Sequence, residues 1–433
     1  MRVALINNMN NMFFAMTRYL RDAGVDAHLY VMPDGFEHFA PQCDTFQDVT
    51  NLDWIHTFPS GESLRDFWEQ SNANYDELRG YDVLVGCGGA TSMLARQGLP
   101  VDVLMPFGQE LIHDSKCTWG RFSLRAYPVG LWRAHWQRRA FRQARFVVVN
   151  ESHTIYNDAV QRIGGISTVS LPGPAVYNQE ELGLGDWGFL QEHDFVVFYH
   201  GRQLWASNPD NLPKFEEYGG NKRNDKVIQA FAEFTRRTKF HSPLLVMFEY
   251  GPDVQASKEL VQREGIAHRV NWRPAAPRKV IMQGLKLANL ATEHFRPEGC
   301  GLGGTGLEAM ACGVPLLTHT NGAINTPGHF LEGIPLLDVL TVEEILAVFT
   351  DYENNPEHYR KLGLAARQWF DENLGAGVIP RYVEMFEEVL AEKQKRGGPS
   401  TCQPLGGSPH TQPVPCPQKP TQICSTGEMG IGK

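Results

Sequence analysis

No Asp-x-Asp pair occurs anywhere in this 433-residue sequence, which removes the usual carboxylate clamp for a metal-bound diphosphate. A Gly-Lys-Ser/Thr phosphate loop, a Gly-x-Ser-x-Gly elbow and a His-Glu-x-x-His pair are missing as well, so kinase, esterase and zinc-protease chemistry fall away. Net positive charge is also lacking. A formal charge of -9 argues against nucleic acid as a partner, because neutralising phosphates needs a basic footprint. No apolar run approaches the ~18 residues of a membrane-spanning helix. Cysteines number only eight and are scattered without short paired metal spacings, as expected for free thiols in a reducing compartment. The opening Met1–Ile6 reads as an apolar strand, not a signal segment. A cytoplasmic protein is expected, with peripheral contact to a membrane left open.

What is present is ordinary for a soluble enzyme: 42% hydrophobic and 21% charged residues. The length exceeds what one hydrophobic core supports, so two domains are expected. Short apolar runs alternate with helical stretches: Val3–Ile6, Ala27–Val31, Val83–Val85, Val101–Met105 and Phe146–Val149 in the first part, Phe195–Tyr199 and Leu244–Phe248 in the second. That alternation predicts α/β architecture with doubly wound parallel sheets. A Pro/Gly break at Leu171–Tyr177 marks the expected hinge, dividing residues 1–172 from 173–395. Beyond about Gly397 the composition turns to Pro, Gly, Ser, Thr and Gln. Residues 396–433 are expected to form a disordered tail, since they cannot bury enough surface to order themselves.

The most informative stretch runs from Arg296 to Leu316 and joins five glycines and two carboxylates to the start of an Ala/Met/Leu-rich helix. Gly301, Gly303, Gly304 and Thr305 would let the backbone approach a ligand and leave first-turn amides open to a diphosphate. Glu308, just inside the helix, suits the helix dipole and can accept hydrogen bonds from vicinal hydroxyls such as those of a ribose. Arg202, following a strand, and Lys222, just before a helix, offer a fork and a point charge to phosphates. The first loop, Asn7-Asn8-Met9-Asn10-Asn11, places asparagines, Asn8 among them, where left-handed backbone and amide donors are useful; N-capping is the plainer reading. The stretch Trp132–Arg145 carries five arginines among aromatics. A helix packed on the sheet with its arginines in water is favoured over one lying on anionic lipid.

Glu308-Ala-Met-Ala-Cys-Gly-Val-Pro315, with the Gly-rich run before it, resembles the C-terminal signature of the GT-B retaining glycosyltransferases of family four. The order of elements over about residues 195–390 follows that family. The resemblance implies two facing Rossmann-like domains, the first on the acceptor side and the second holding a nucleotide diphosphate sugar as substrate. It implies a retaining, hexosyltransferase-type transfer to an acceptor hydroxyl on a glycan, lipid-linked, protein or small-molecule partner, with no cofactor and no metal. Arg202 and Lys222 match its Arg/Lys pair. Glu110, in Pro106–Leu111, matches the acid of a run that holds sugar or acceptor hydroxyls, and Phe107 stands where some members carry a histidine.

Two departures stand out. The family usually places seven residues between its two glutamates; Glu298 and Glu308 are separated by nine, so Glu298 fits best as the first, with Glu293 the alternative if the glycine loop is remodelled. Residues 203–220 are inserted between Arg202 and Lys222, at the expected mouth of the cleft. A non-catalytic nucleotide-sugar-binding partner of another transferase is the rival reading.

Overall fold

A computed structural model describes residues 1–33, 35, 37–69, 74–117, 124–149, 154–207, 221–297, 302–327 and 329–395. The expected tail, most of the 203–220 insertion, Glu298 and Gly301 lie outside the described residues.

The first unit holds β1 (Arg2–Ile6), α1 (Met12–Asp22), β2 (Asp26–Val31), β3 (Ile55–Thr57), α2 (Leu64–Glu69), β4 (Val83–Gly86), α3 (Ala90–Arg96), β5 (Val103–Leu104), α4 (Tyr127–Gln143), β6 (Phe146–Val148), α5 (Thr154–Ile163) and β7 (Thr168–Val169). Its seven strands lie in the order β3-β2-β1-β4-β5-β6-β7, every pairing parallel. The second unit holds β8 (Phe195–Tyr199), α6 (Asp225–Thr235), β9 (Pro243–Glu249), α7 (Val254–Arg263), β10 (Val270–Pro274), α8 (Arg278–Leu285), β11 (Leu290–Thr292), α9 (Gly304–Ala311), β12 (Leu316–Thr318), β13 (Leu337–Asp338), α10 (Val342–Asn354), α11 (Pro356–Asn373) and α12 (Ile379–Lys395). Its six strands run β10-β9-β8-β11-β12-β13, again all parallel.

The central strands are apolar without alternation because helices cover both sheet faces. Phe195 to Tyr199 of β8 are all buried, and Phe195, Val197 and Tyr199 enter one core while Val196 and Phe198 enter another. The expected strand over 101–105 shrinks to Val103–Leu104, and the two-residue edge strands are too short for periodicity to reveal.

Strand order reverses beside β1 in the first sheet and beside β8 in the second, so the carboxyl ends of both strands open onto crevices, where such folds bind ligands. Helix α12 leaves the second unit and packs on the first. Tyr382, Met385, Phe386 and Val389 join the core that contains Val3, Leu5 and Val85. Arg145 of the first unit pairs with Glu388 and Glu392, and Lys393 with Asp102.

The arginines of α4 and its end are largely engaged by protein rather than free for lipid. Arg133 donates to Glu62 O, Arg138 to Ser115 O, Arg142 to Ile163 O and Arg145 to the carboxylates of α12. Among the described residues no helix is long and apolar enough to cross a membrane.

Candidate functional site

A cavity of about 670 Å³ lies between the two units at the carboxyl ends of β1, β8 and β11. From the first unit come Asn10, Asn11, Met12, His38, Phe39 and Phe107. Asn7, Asn10 and Asn11 all have positive φ, a conformation asparagine tolerates because its short amide bonds locally. From the second unit, the loop after β8 brings His200, Gly201 and Arg202; Glu293 directly follows β11; α9 begins at Gly304 with Thr305 and Glu308 close behind.

Arg202 and Lys222 therefore line one cavity although the insertion separates them in sequence. Among the described residues neither side chain has a hydrogen bond or ion pair; the Lys222 backbone is fixed by its N–H to Leu204 O at 2.7 Å. Gly303 caps α9 in extended backbone without a side-chain hydrogen bond, so the first-turn amides keep their donors available. A Cβ built on Gly304 meets nothing within 4 Å, which places open space beside that amide. Two half-buried cations and an open helix N-terminus converge on one volume, a field suited to an anion.

Glu293 also faces this volume. Its Oε1 accepts from Gly303 N at 2.8 Å and Thr305 Oγ at 3.1 Å, while Oε2 is buried with no hydrogen-bond partner among the described residues. Of the two candidates for the first motif glutamate, Glu293 is the one in the described cavity wall. Glu308 is buried and held on two sides: His200 Nε2 lies 2.9 Å from Oε2, and Arg278 Nε donates to Oε1 at 2.8 Å. Burial pushes the Glu308 carboxyl up, but the His200 hydrogen bond and the Arg278 charge outweigh it and leave the group below its ordinary range. Each oxygen retains a lone pair for a hydroxyl donor. Phe248, Tyr250, Ala275, Ala276, Ile281 and Leu307 supply an apolar flank able to take a flat ring.

Two of the expected site residues lie away from the cavity wall. Glu110 has no exposed surface and does not line the cavity; its Oε1 accepts from Gly88 N at 2.8 Å and Phe107 N at 3.0 Å, so it ties the loops after β4 and β5 together. Burial pushes its carboxyl up. Asn8 is likewise buried away from the cavity: its amide donates to Asn11 Oδ1 and Phe39 O and accepts from Phe14 N. Asn10 and Asn11 occupy the wall instead.

His200, Arg278 and Asp44 were not foreseen as a group. The sequence held one signal. A cation directly after Pro277, in the first position of a helix, is opposed by the helix dipole, which points to a carboxylate partner elsewhere.

Comparison with known proteins agrees with this geometry. Residues 200–369 match the family model of glycosyl transferases group 1. The chain is 26% identical over 159 residues to a GDP-mannose-dependent alpha-(1-6)-phosphatidylinositol monomannoside mannosyltransferase of Mycolicibacterium smegmatis; the match covers 35% of this chain and 41% of that relative. Among solved structures, HepE of Anabaena in complex with UDP superposes with a TM-score of 0.55 at 16% identity, over 90% of this chain and 100% of HepE. Sucrose-phosphate synthase of Thermosynechococcus elongatus gives 0.55 at 12% identity, over 90% and 100%. The match to glycosyl transferases group 1 falls on the second unit, and the chain has the two-domain GT-B fold of these solved structures.

Proposed function

We propose that this protein transfers a sugar from a nucleotide diphosphate donor to an acceptor hydroxyl. The observation that carries the reading is the meeting of Arg202, Lys222 and the uncapped start of α9 in one inter-unit cavity. As the glycosidic bond breaks, negative charge grows on the departing diphosphate, and fixed donors placed there stabilise the transition state more than the ground state. Glu308, held ionised by its neighbours, accepts from the ribose hydroxyls; the Phe248 and Tyr250 flank takes the base; Glu293 orders the start of α9 through Gly303 N and Thr305 Oγ.

Transfer with retention follows if the acceptor attacks from the face the diphosphate leaves, a leaving-group oxygen taking the proton and no protein nucleophile being formed. The cations and helix amides supply the positive charge a divalent metal would otherwise bring, so the reaction is proposed to be metal-independent. The acceptor, on a glycan, lipid, protein or small molecule, enters from the Asn10–Phe39 side.

The test is nucleotide release from UDP- and GDP-sugars by purified protein, with and without EDTA, followed by NMR of the product anomer. Turnover in EDTA with the donor's anomeric configuration kept is the expected result. Tight donor binding with no release under any condition points instead to a binding partner of another transferase.

A further inference from the structure

Arg278 makes contacts that the chemistry of the donor does not require. Its partly buried guanidinium has five N–H donors, and four acceptors surround it. Nε donates to Glu308 Oε1 at 2.8 Å in the second unit. The others face away from it: Nη1 donates to Asp44 Oδ1 at 3.0 Å and to Ala175 O at 3.2 Å, and Nη2 to Asn10 O at 3.0 Å. One rigid, planar group thus joins a carboxylate of the cavity to a buried carboxylate of the first unit, to the chain between the units and to the loop after β1. The neighbouring Lys279 Nζ donates to Thr45 O at 2.9 Å, so the 44–45 segment is fastened to the start of α8 twice.

We propose that Arg278 is a positioning residue that couples occupancy of Glu308 to the placement of the Asp44 segment and of Asn10 at the opposite wall. This rests on the donor-site reading above. Glu308 and Asp44 share one guanidinium through different nitrogens: Glu308 lies below its ordinary range, while burial holds Asp44 above its own despite Arg278. A hydroxyl donor arriving at Glu308 takes a remaining lone pair and draws charge from that carboxylate, so the guanidinium is held less strongly on that side and more strongly by Asp44 and Asn10, which tightens the first unit over the donor. Asp44 itself does not line the cavity, so any effect it has on ligand binding must travel through its neighbours.

The test is a double-mutant cycle on the full chain, with UDP and GDP as probes in calorimetry and melting temperature recorded to confirm folding. Asp44→Asn is expected to weaken the tighter-binding nucleotide about five-fold or more, the lower end of ordinary coupling between sites, and to have less than about a two-fold effect when Glu308→Gln is already present. Equal losses in both backgrounds, or no loss from Asp44→Asn, overturn the proposal. Should Asp44→Asn not fold, Arg278→Lys replaces it in the same cycle, since lysine keeps the charge but cannot span both carboxylates. If the wild type binds neither nucleotide, the donor-site reading fails, and the link is decided separately by hydrogen exchange in the free protein. Glu308→Gln then has to quicken exchange over residues 41–46; unchanged exchange there overturns it.

Discussion

Gly306 carries only hydrogens where a Cβ would stand 2.6 Å from Glu293 Oε2 and 3.1 Å from Leu316 Cδ2. The helix that opens the proposed diphosphate site is thereby packed directly against the carboxylate beside it, and the glycine is required by space, its φ not being positive. Gly304, two residues earlier on the open side, has no such neighbour. Gly306→Ala is therefore expected to displace Glu293 and lower kcat at least ten-fold with a stability loss of about 1–3 kcal/mol, while Gly304→Ala keeps the wild-type melting temperature. Parallel kinetics and thermal melts check this; equal behaviour of the two variants is the contrary outcome.

Glu308→Gln is expected to weaken UDP or GDP binding, because the amide exchanges one acceptor oxygen for a donor facing His200 or Arg278 and ribose hydroxyls alike. The native carboxyl ionises below its unfolded value near 4.5, so its contribution to stability is complete above that pH and is lost as pH falls through the native pKa. Wild type should lose stability toward pH 3 more steeply than Glu308→Gln. Calorimetric titration and urea melts at several pH values measure both effects, and an unchanged dissociation constant removes Glu308 from the site.

Arg202→Ala should lower kcat more than it raises KM, since a cation with no partner among the described residues meets its strongest charge when the diphosphate departs. A rate loss on the order of 100-fold is expected for one oxyanion-type donor. Steady-state kinetics decides it: normal turnover with only a raised KM means uniform binding of the donor.

Glu62 provides a pH test away from the cavity. Burial pushes its carboxyl up to about 7, although Ala90 N at 3.0 Å donates to it and Arg133 is nearby; Asn7 Nδ2 donates to the same oxygen at 2.8 Å. Between the unfolded value near 4.5 and the native value near 7 the native state binds more protons, so this group lowers stability as pH rises through that window and has a constant effect above it. Glu62→Gln should gain over wild type with rising pH, by roughly 2–3 kcal/mol between pH 5 and pH 8. Urea melts at pH 5 and pH 8 check this; an equal difference at both means that Glu62 is ionised throughout.

Much of the fold was legible in the chain. Runs such as Phe195–Tyr199 are apolar on both faces, which only a covered parallel strand needs, and Pro356 opens α11 where its fixed φ and missing N–H suit a first helical turn. The glycine-rich entry to α9 and the cations Arg202 and Lys222 were legible for the same reason: each is a local choice of residue whose chemistry is visible without its neighbours. Edge strands such as β7 and β13 were not, because two residues carry no period.

Sequence alone determined the parallel α/β class, the likeness to family four and the residue types offered to a diphosphate, since periodicity, glycine content and motif order are properties of neighbours along the chain. Tertiary structure alone decided which carboxylates and asparagines reach the cavity. Glu110 and Asn8 sit beside the right strands yet have side chains turned into backbone amides, whereas Glu293 lines the cavity. It also decided that Arg278 lies between Glu308 and Asp44, residues 264 positions apart at their extremes (308 − 44). Burial and long-range pairing are set by how the two sheets face each other, and no local pattern encodes the far partner of a buried charge.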